Sequence, residues 1–202
     1  MASKGVSTAP IQLISGASPF CQTFFDDVEV PKTNLVGPLN KGWTIAKRLL
    51  QHERQMISGI GGNSALGGGN RSLAEQAKLY AGEAEGRIED SALRQDVTHH
   101  CMNDRAFQLT LARGSQEAVA GNANGHLASM FKYYGSEQNK RKYELLLQTM
   151  GTTSVGWESK AFSDLELRTT RQWLRSKANS IEGGTSEVQL NVIAKRVLGL
   201  PD

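Results

Sequence analysis

The sequence is poor in the features that mark secreted, membrane-spanning or disordered chains. Only two cysteines, Cys21 and Cys101, occur among 202 residues, so one disulfide can form but a disulfide scaffold is excluded. No apolar run approaches the ~20 residues of a membrane-spanning helix, and the first residues lack the apolar stretch of a signal peptide. The charge imbalance is small, with 23 Lys and Arg against 20 Asp and Glu, and does not demand a nucleic-acid partner. These absences predict a soluble chain in a reducing, cytoplasmic compartment with no membrane contact.

The composition that is present suits a folded chain. Hydrophobic residues make up 39% and charged residues 21%, which is too apolar for a disordered protein. The length allows one domain, or one domain with an appendage. Glycine is in excess, with 21 residues or about 10% against a usual ~7%, and six of them lie within residues 59–69.

Two kinds of segment follow one another along the chain. Residues 5–37 are rich in aromatic and β-branched residues and predict two or three strands, too few for a stable sheet alone. Apolar periodicity then predicts helices at 42–60, 72–85, 91–120, 128–150, 164–176 and 185–198. The pattern indicates a mainly α fold, with an antiparallel four-helix-bundle-like domain at 39–202 after residual strands at 1–38.

The first predicted helix carries a carboxylate on its apolar face. Glu53 occupies the missing position of an apolar stripe formed by Trp43, Ala46, Leu49, Leu50, Met56, Ile57 and Ile60. Burial disfavours the charged form, so we expect a raised pKa, which suits a general base that removes a carbon-bound proton. An ion pair with Arg48, Arg54 or Arg71 is the alternative, and spacing alone favours it.

A second feature is the segment GGTSE at 183–187, directly before the last predicted helix. Two glycines let the backbone approach a bulky group closely, and Ser186 with Gln189 fits a capping box. The free N–H groups of such a helix start bind anions, phosphates in particular. An ordinary helix start after a loop explains the segment equally well.

Two further clusters are interpreted as structural. Adjacent helical residues point about 100° apart, so His99, His100 and Cys101 cannot share a metal, and we predict no metal site. A basic run is interpreted as a solvated face, with a pyrophosphate or nucleic-acid role as the minor alternative; it comprises Lys132, Lys140, Arg141 and Lys142.

Six short motifs, in order along the chain, carry a resemblance to a known family. They are FFDDVEVP at 24–31, NLVG at 34–37, KGW at 41–43, HER at 52–54, IEGGTSEVQ at 181–189 and IAKRVLGLP at 193–201. With this order and spacing the chain closely resembles the acyl-CoA dehydrogenases from about residue 10 to residue 202. The first motifs resemble the end of the family's middle β-domain, and the last two its closing signature.

The resemblance implies a flavoprotein with three domains, of which the C-terminal one is a helical bundle. Such enzymes use FAD to oxidise acyl-CoA thioesters to trans-2-enoyl-CoA in fatty acid β-oxidation, and they pass electrons to an electron-transferring flavoprotein. They self-associate as dimers or tetramers through the bundle, and a neighbouring subunit also contacts each FAD. Most of the β-domain and the whole N-terminal domain have no counterpart here, so we expect this chain to be inactive alone. The sequence does not identify the acyl group of the substrate.

The resemblance also assigns residues. In one branch of the family the base directly precedes the final Gly-Thr-Ser, where this sequence has Gly183. In another branch it lies in a Glu-Arg pair on the first bundle helix, which corresponds to Glu53-Arg54 here. Glu53 is therefore the expected base, and Arg54, Gly183 and Gly184 are expected to contact the substrate. FAD contacts are expected from Thr185, Ser186, Glu187, Gln148 and Gly151.

The sequence departs from the family's motifs in two places. The family's Arg-x-x-Phe-Gly motif is replaced by KLYAG at 78–82, and its Gln-x-x-Gly-Gly element appears only as QTMGT at 148–152. The loss of the first motif and the sequence pI of about 8.9 support an alternative function. The alternative is a non-catalytic assembly or binding module, either one subunit of a heteromeric dehydrogenase or, less favoured, a DNA-binding relative.

Overall fold

The computed structural model describes residues 3–60, 71–122 and 127–201, and within 51–60 the only side chain it describes is that of Glu53. The side chain of Arg54 and residues 61–69 of the glycine-rich segment therefore lie outside the described residues. Backbone contacts divide the chain into two compact units, Met1–Glu53 and Arg54–Asp202. The domain boundary expected between residues 38 and 39 stays a prediction.

The first unit consists of a β-hairpin and the beginning of a long helix. Strand β1 (Val6–Ile11) pairs antiparallel with β2 (Phe20–Phe25), the first residue of each strand lying opposite the last residue of the other. Helix α1 (Gly42–Ile60) has the predicted bounds. Among the described side chains of this unit only Ser15 is buried, because a two-stranded hairpin has no second layer of its own to cover its faces.

The second unit contains the remaining helices. They are α2 (Leu73–Ala81), α3 (Ser91–Val119), α4 (Leu127–Met150), α5 (Asp164–Ser176) and α6 (Ser186–Val192). Short 3-10 turns follow α4 and α5, and a π-helical turn continues α6. The helices predicted at 91–120, 128–150 and 164–176 are confirmed to within one residue at either end.

The helix predicted at 72–85 is shorter than expected. It ends at Ala81 because Gly82 adopts a φ of +89°, outside the helical region. Residues 83–88 instead form a hairpin of β3 (Glu83–Ala84) and β4 (Arg87–Ile88), whose two turn residues, 85 and 86, also have positive φ.

Helix α4 lies at the centre of the second unit and packs against α2, α3, α5 and α6. The main buried cluster combines residues of α2, β4, α3 and α4: Leu73, Ala77, Ile88, Leu93, Val97, Tyr143, Leu145 and Leu146. Trp173 of α5 packs against this cluster. The mainly helical, bundle-like fold with a preceding β segment is thus confirmed. Within the described ranges, no helix is long and apolar enough to cross a membrane.

Candidate active site

Glu53 lies near the middle of α1 with an exposed side chain. The prediction that its helix face is buried is wrong for the described part of the chain, because Trp43 and Leu49 of the same stripe are 72% and 68% exposed. Among the described side chains, no ion pair joins Glu53 to Arg48. The carboxylate is therefore accessible beside apolar side chains that are themselves uncovered.

A short loop, Gly183-Gly184-Thr185, leads into α6. Its two glycines have φ angles of +66° and +96°, which residues with a Cβ rarely adopt. Thr185 is the N-cap, since its Oγ1 accepts a hydrogen bond from the Val188 N–H at 3.3 Å. The expected capping box between Ser186 and Gln189 is wrong, because Ser186 is already the first helical residue.

Two buried side chains hold the carbonyl groups of this loop. Lys132 of α4 is 2% exposed, and its Nζ donates to the Gly184 carbonyl oxygen at 2.6 Å. Gln189 of α6 is also 2% exposed, and its Nε2 donates to the Gly183 carbonyl oxygen at 3.3 Å. The interpretation of Lys132 as part of a solvated face is wrong. The available indication of burial was the small residues three and four positions away on the same helix face, Ser129, Gly135 and Ser136, which are also buried.

Carboxylates around Lys132 partly offset the effect of its burial on the charged form. Burial lowers the pKa of Lys132, an effect opposed by the charges of Glu182, Glu137 and Glu187. Glu182 itself accepts hydrogen bonds from both terminal nitrogens of Arg175, at 3.2 and 2.8 Å. Burial acts to raise the pKa of Glu182, but the hydrogen bonds and the positive charges of Arg175 and Lys132 lower it overall.

The hydroxyl group of Ser186 is engaged within the unit. Ser186 is 9% exposed, and its Oγ donates to Glu137 Oε1 at 3.3 Å. Lys140 Nζ lies 3.1 Å from Oε2 of the same carboxylate, with its side chain only 23% exposed. The solvated face predicted for the basic run is therefore also wrong for Lys140, because α4 turns this side chain toward the start of α6.

Glu187, in contrast, is exposed in the first turn of α6. Its own backbone N–H and the Thr185 hydroxyl donate to the carboxylate and lower its pKa. The group is therefore ionised at neutral pH. An ionised carboxylate here accepts hydrogen bonds from hydroxyl or amino groups and repels phosphate.

The other predicted FAD residues lie at the far end of α4. Gln148 is exposed in its last turn, and the exposed Gly151 begins the following 3-10 turn with a φ of +57°. Gln148 follows Lys132 by 16 residues, which corresponds to about 24 Å along the helix. The structure therefore brings together the residues of the 183–187 segment, but not Gln148 and Gly151 with them.

The histidine pair has no metal-binding arrangement in the part of the chain that the structure describes, where no group of three potential ligands was found. His100 is 7% exposed between neighbours that are both exposed, and burial lowers its pKa. Both cysteines, Cys21 and Cys101, are exposed free thiols.

The family model for "Acyl-CoA dehydrogenase, C-terminal domain" matches residues 40–198. The chain therefore belongs to the acyl-CoA dehydrogenase family and contains its C-terminal helical domain. It is 28% identical to acyl-CoA dehydrogenase IpdE1 of Mycobacterium tuberculosis over 98% of this chain and 48% of that protein. It is 29% identical to acyl-CoA dehydrogenase FadE34 of the same organism over 100% of this chain and 26% of that protein.

Solved structures of similar fold extend the comparison. The Tcur3481-Tcur3483 steroid ACAD has a TM-score of 0.81 at 24% identity, covering 98% of this chain and 50% of that chain. The ChsE4-ChsE5 complex from Mycobacterium tuberculosis has a TM-score of 0.74 at 23% identity, and the match covers 100% of this chain and 51% of that chain. The chain thus spans about half the length, or less, of the relatives that it matches.

Proposed function

We propose that this chain is the C-terminal part of an FAD-dependent enzyme that oxidises an acyl-CoA thioester to the trans-2-enoyl-CoA. The observation that carries the proposal is the backbone of Gly183, whose φ is +66° where one branch of the family has its catalytic Glu. A glycine in this conformation provides no base, which leaves Glu53, at the base position of the other branch. Alone, a chain that spans half of its relatives is expected to show no turnover.

Glu53 would accept the α-proton of the thioester. Its exposed carboxylate lies beside uncovered apolar side chains, so an acyl chain that covers this face would also remove water from the carboxylate and strengthen it as a base. Arg54, the next residue, would contact the substrate. A bound FAD would supply the acceptor for the hydride that leaves the β-carbon.

The start of α6 fits the polar, phosphate-free part of FAD. The Thr185 oxygen accepts from Val188, and the ionised Glu187 carboxylate accepts from hydroxyl or amino groups. Ser186 would offer its backbone N–H, since its hydroxyl donates to Glu137.

The two glycines of this loop are the proposed contacts to the substrate. Gly183 and Gly184 carry no side chain, so a thioester could approach their backbone closely. These contacts, like those to FAD, are assigned on residue chemistry and on the family motif GGTSE at 183–187.

The separation of about 24 Å along α4 between Lys132, beside the loop, and Gln148 supports self-association. We propose that Gln148 and Gly151 contact the FAD bound by a neighbouring subunit of a dimer or tetramer formed through the bundle. An electron-transferring flavoprotein would then accept the electrons.

A second candidate function is that of a non-catalytic subunit in a heteromeric dehydrogenase. Exposed apolar side chains of the first unit favour it, among them Phe25, Trp43 and Leu49, which are 68–73% exposed. The similar ChsE4-ChsE5 structure is a complex of two proteins, which is consistent with such an arrangement.

The test is the variant Glu53→Gln in the holoenzyme that contains this chain. Straight-chain, branched, dicarboxylic and sterol side-chain acyl-CoA substrates would be compared by dye reduction, with flavin content read from absorbance. We expect kcat to fall by about 10²–10⁴-fold while flavin remains bound, because the general base is lost.

The control is Glu158→Gln, which removes another exposed carboxylate, 79% exposed, and should leave turnover unchanged. Near-normal turnover of Glu53→Gln would reject Glu53 as the base. It would favour the second candidate, in which a partner chain supplies the base.

A further inference from the structure

Lys132 is the most deeply buried cation that the described residues contain, and its contacts are directed at the proposed active-site loop. The side chain is 2% exposed, and its Nζ donates to the Gly184 carbonyl oxygen at 2.6 Å. An ammonium group without water is unfavourable unless strong partners replace the water. Among the described side chains no carboxylate lies within ion-pair distance of Lys132, so this carbonyl is its close polar partner.

The neighbouring peptide group is held in the same way. Gln189 donates to the Gly183 carbonyl oxygen, and a Cβ at Gly184 would lie 2.5 Å from its Nε2. Two consecutive carbonyl groups are therefore fixed by buried side chains from α4 and α6. The loop conformation does not depend on the glycines alone, which are otherwise flexible.

Because each peptide group is planar, the directions of these two carbonyl groups also determine the directions of the N–H groups that follow them. In a trans peptide the N–H points away from the preceding carbonyl oxygen. With the carbonyls of Gly183 and Gly184 turned toward Gln189 and Lys132, the N–H group of Gly184 points away from Gln189 and that of Thr185 points away from Lys132. Two adjacent donors are thereby turned away from the buried side chains.

We propose that Lys132 is a positioning residue, which fixes the Gly184–Thr185 peptide so that the Thr185 N–H, next to the Gly184 N–H whose peptide Gln189 holds, faces a ligand oxygen. Its functional consequence rests on the proposed function, in which this loop contacts thioester and flavin. Lys132 itself touches neither ligand. The nearby negative charges of Glu182, Glu137 and Glu187 favour the charged form of its side chain, which burial disfavours.

The first experiment needs neither cofactor nor turnover. In the full chain, Lys132→Met replaces the ammonium by an unbranched apolar side chain, and backbone amide signals are followed by NMR. We expect the amide signals of Gly184 and Thr185 to shift, and Lys132→Arg to restore part of the shift. Lys177→Met, which removes a cation bonded to Glu144 at 2.7 Å, should leave both signals in place.

The second experiment measures turnover in the holoenzyme. A misplaced loop should lower kcat/KM of Lys132→Met by about tenfold to a hundredfold, with normal flavin content, whereas Lys177→Met should match wild type. If the amide signals move but kcat/KM does not, the functional consequence is overturned. Because the NMR result does not involve Glu53, this failure is distinguishable from a failure of the proposed base.

The proposal is overturned outright if Lys132→Met folds and the Gly184 and Thr185 signals stay at their wild-type positions. If that variant does not fold, the unmodified chain provides the answer. The hydrogen-bonded ammonium protons of Lys132 should then give a nuclear Overhauser effect to the α-protons of Gly184, which adjoin the carbonyl group that Lys132 binds. Absence of this effect with an assigned Lys132 signal would reject the contact.

Discussion

Glu182 joins three segments next to the loop before α6. It accepts hydrogen bonds from Arg175 of α5 and from the Asn179 amide at 2.7 Å, and its charge acts on Lys132 of α4. The two amino acids that follow it are Gly183 and Gly184. A single carboxylate thus connects the stability of the second unit with the shape of its candidate site.

Glu182→Gln should lower the free energy of unfolding by about 2 kcal/mol at neutral pH, because charge-assisted hydrogen bonds are lost. The pKa of Glu182 is lowered from its ordinary 4.5, so its stabilisation is present above about pH 4.5 and is lost as pH falls through the folded-state pKa. The difference between wild type and variant should therefore narrow in urea unfolding curves below that pH.

Glu144→Gln is the matched control. Its Oε1 lies 2.7 Å from Lys177 Nζ, but both side chains are about 40% exposed. We therefore expect the free energy of unfolding to fall by less than about 1 kcal/mol. A Glu182→Gln effect that is no larger than this, or that does not change with pH, would contradict the prediction.

The candidate site was only partly predictable from single residues. Glu53 and the 183–187 segment are recognisable because their motifs are local. Lys132 and Gln189 were missed as partners of the loop because their burial depends on α4 meeting α6, more than fifty residues further along. The exposure of Glu53 was missed because periodicity identifies an apolar face but not what covers it.

Two helices begin with the same capping box but differ in what its Glu contacts. Ser72 with Glu75 and Ser163 with Glu166 both form the reciprocal bonds at the helix start. Only Glu166 also accepts a hydrogen bond from another helix, from Tyr80 Oη of α2 at 3.2 Å. The start of α5 is therefore coupled to the end of α2.

A double-mutant cycle should detect this coupling. Ser163→Ala should cost about 1 kcal/mol of unfolding free energy, since an N-cap is lost. In the double variant Ser163→Ala/Tyr80→Phe, the loss of unfolding free energy should differ from the sum of the two single losses by about 0.5 kcal/mol or more, because both side chains bind Glu166. Ser72→Ala with Tyr80→Phe is the control and should be additive, as Ser72 bonds Glu75 instead. Additivity in both cycles would refute the coupling.

Most helix boundaries could be predicted because an apolar periodicity and a capping residue coincide, as at Ser163. The end of α2 could not, since the hairpin after Gly82 depends on positive φ at Glu85 and Gly86. A Glu-Gly pair is a weaker turn indicator than Asn-Gly or Asp-Gly, and helical propensity of the flanking residues outweighed it.

At the scale of the whole molecule, burial is distributed unequally between the two units. The second unit has a continuous core around α4, whereas the first has Ser15 as its one buried residue among the described side chains. Hairpin aromatics such as Phe24 and Phe25 are 50% and 73% exposed. A two-stranded hairpin with so little apolar burial is marginal in water.

Hydrogen exchange of this chain in solution should therefore separate the two units. We expect the amides of β1 and β2 to exchange well before those of α4, because opening the hairpin exposes little new apolar surface. Mass spectrometry of peptides from residues 5–27 and 130–150 would measure this difference. The hairpin of β3 and β4 is the control and should exchange more slowly than the first hairpin, because it contributes the buried Ile88. Equal protection of β1, β2 and α4 in a monomer would contradict the expectation. Protection of the first hairpin that appears only on adding a partner chain would identify this unit as an assembly surface.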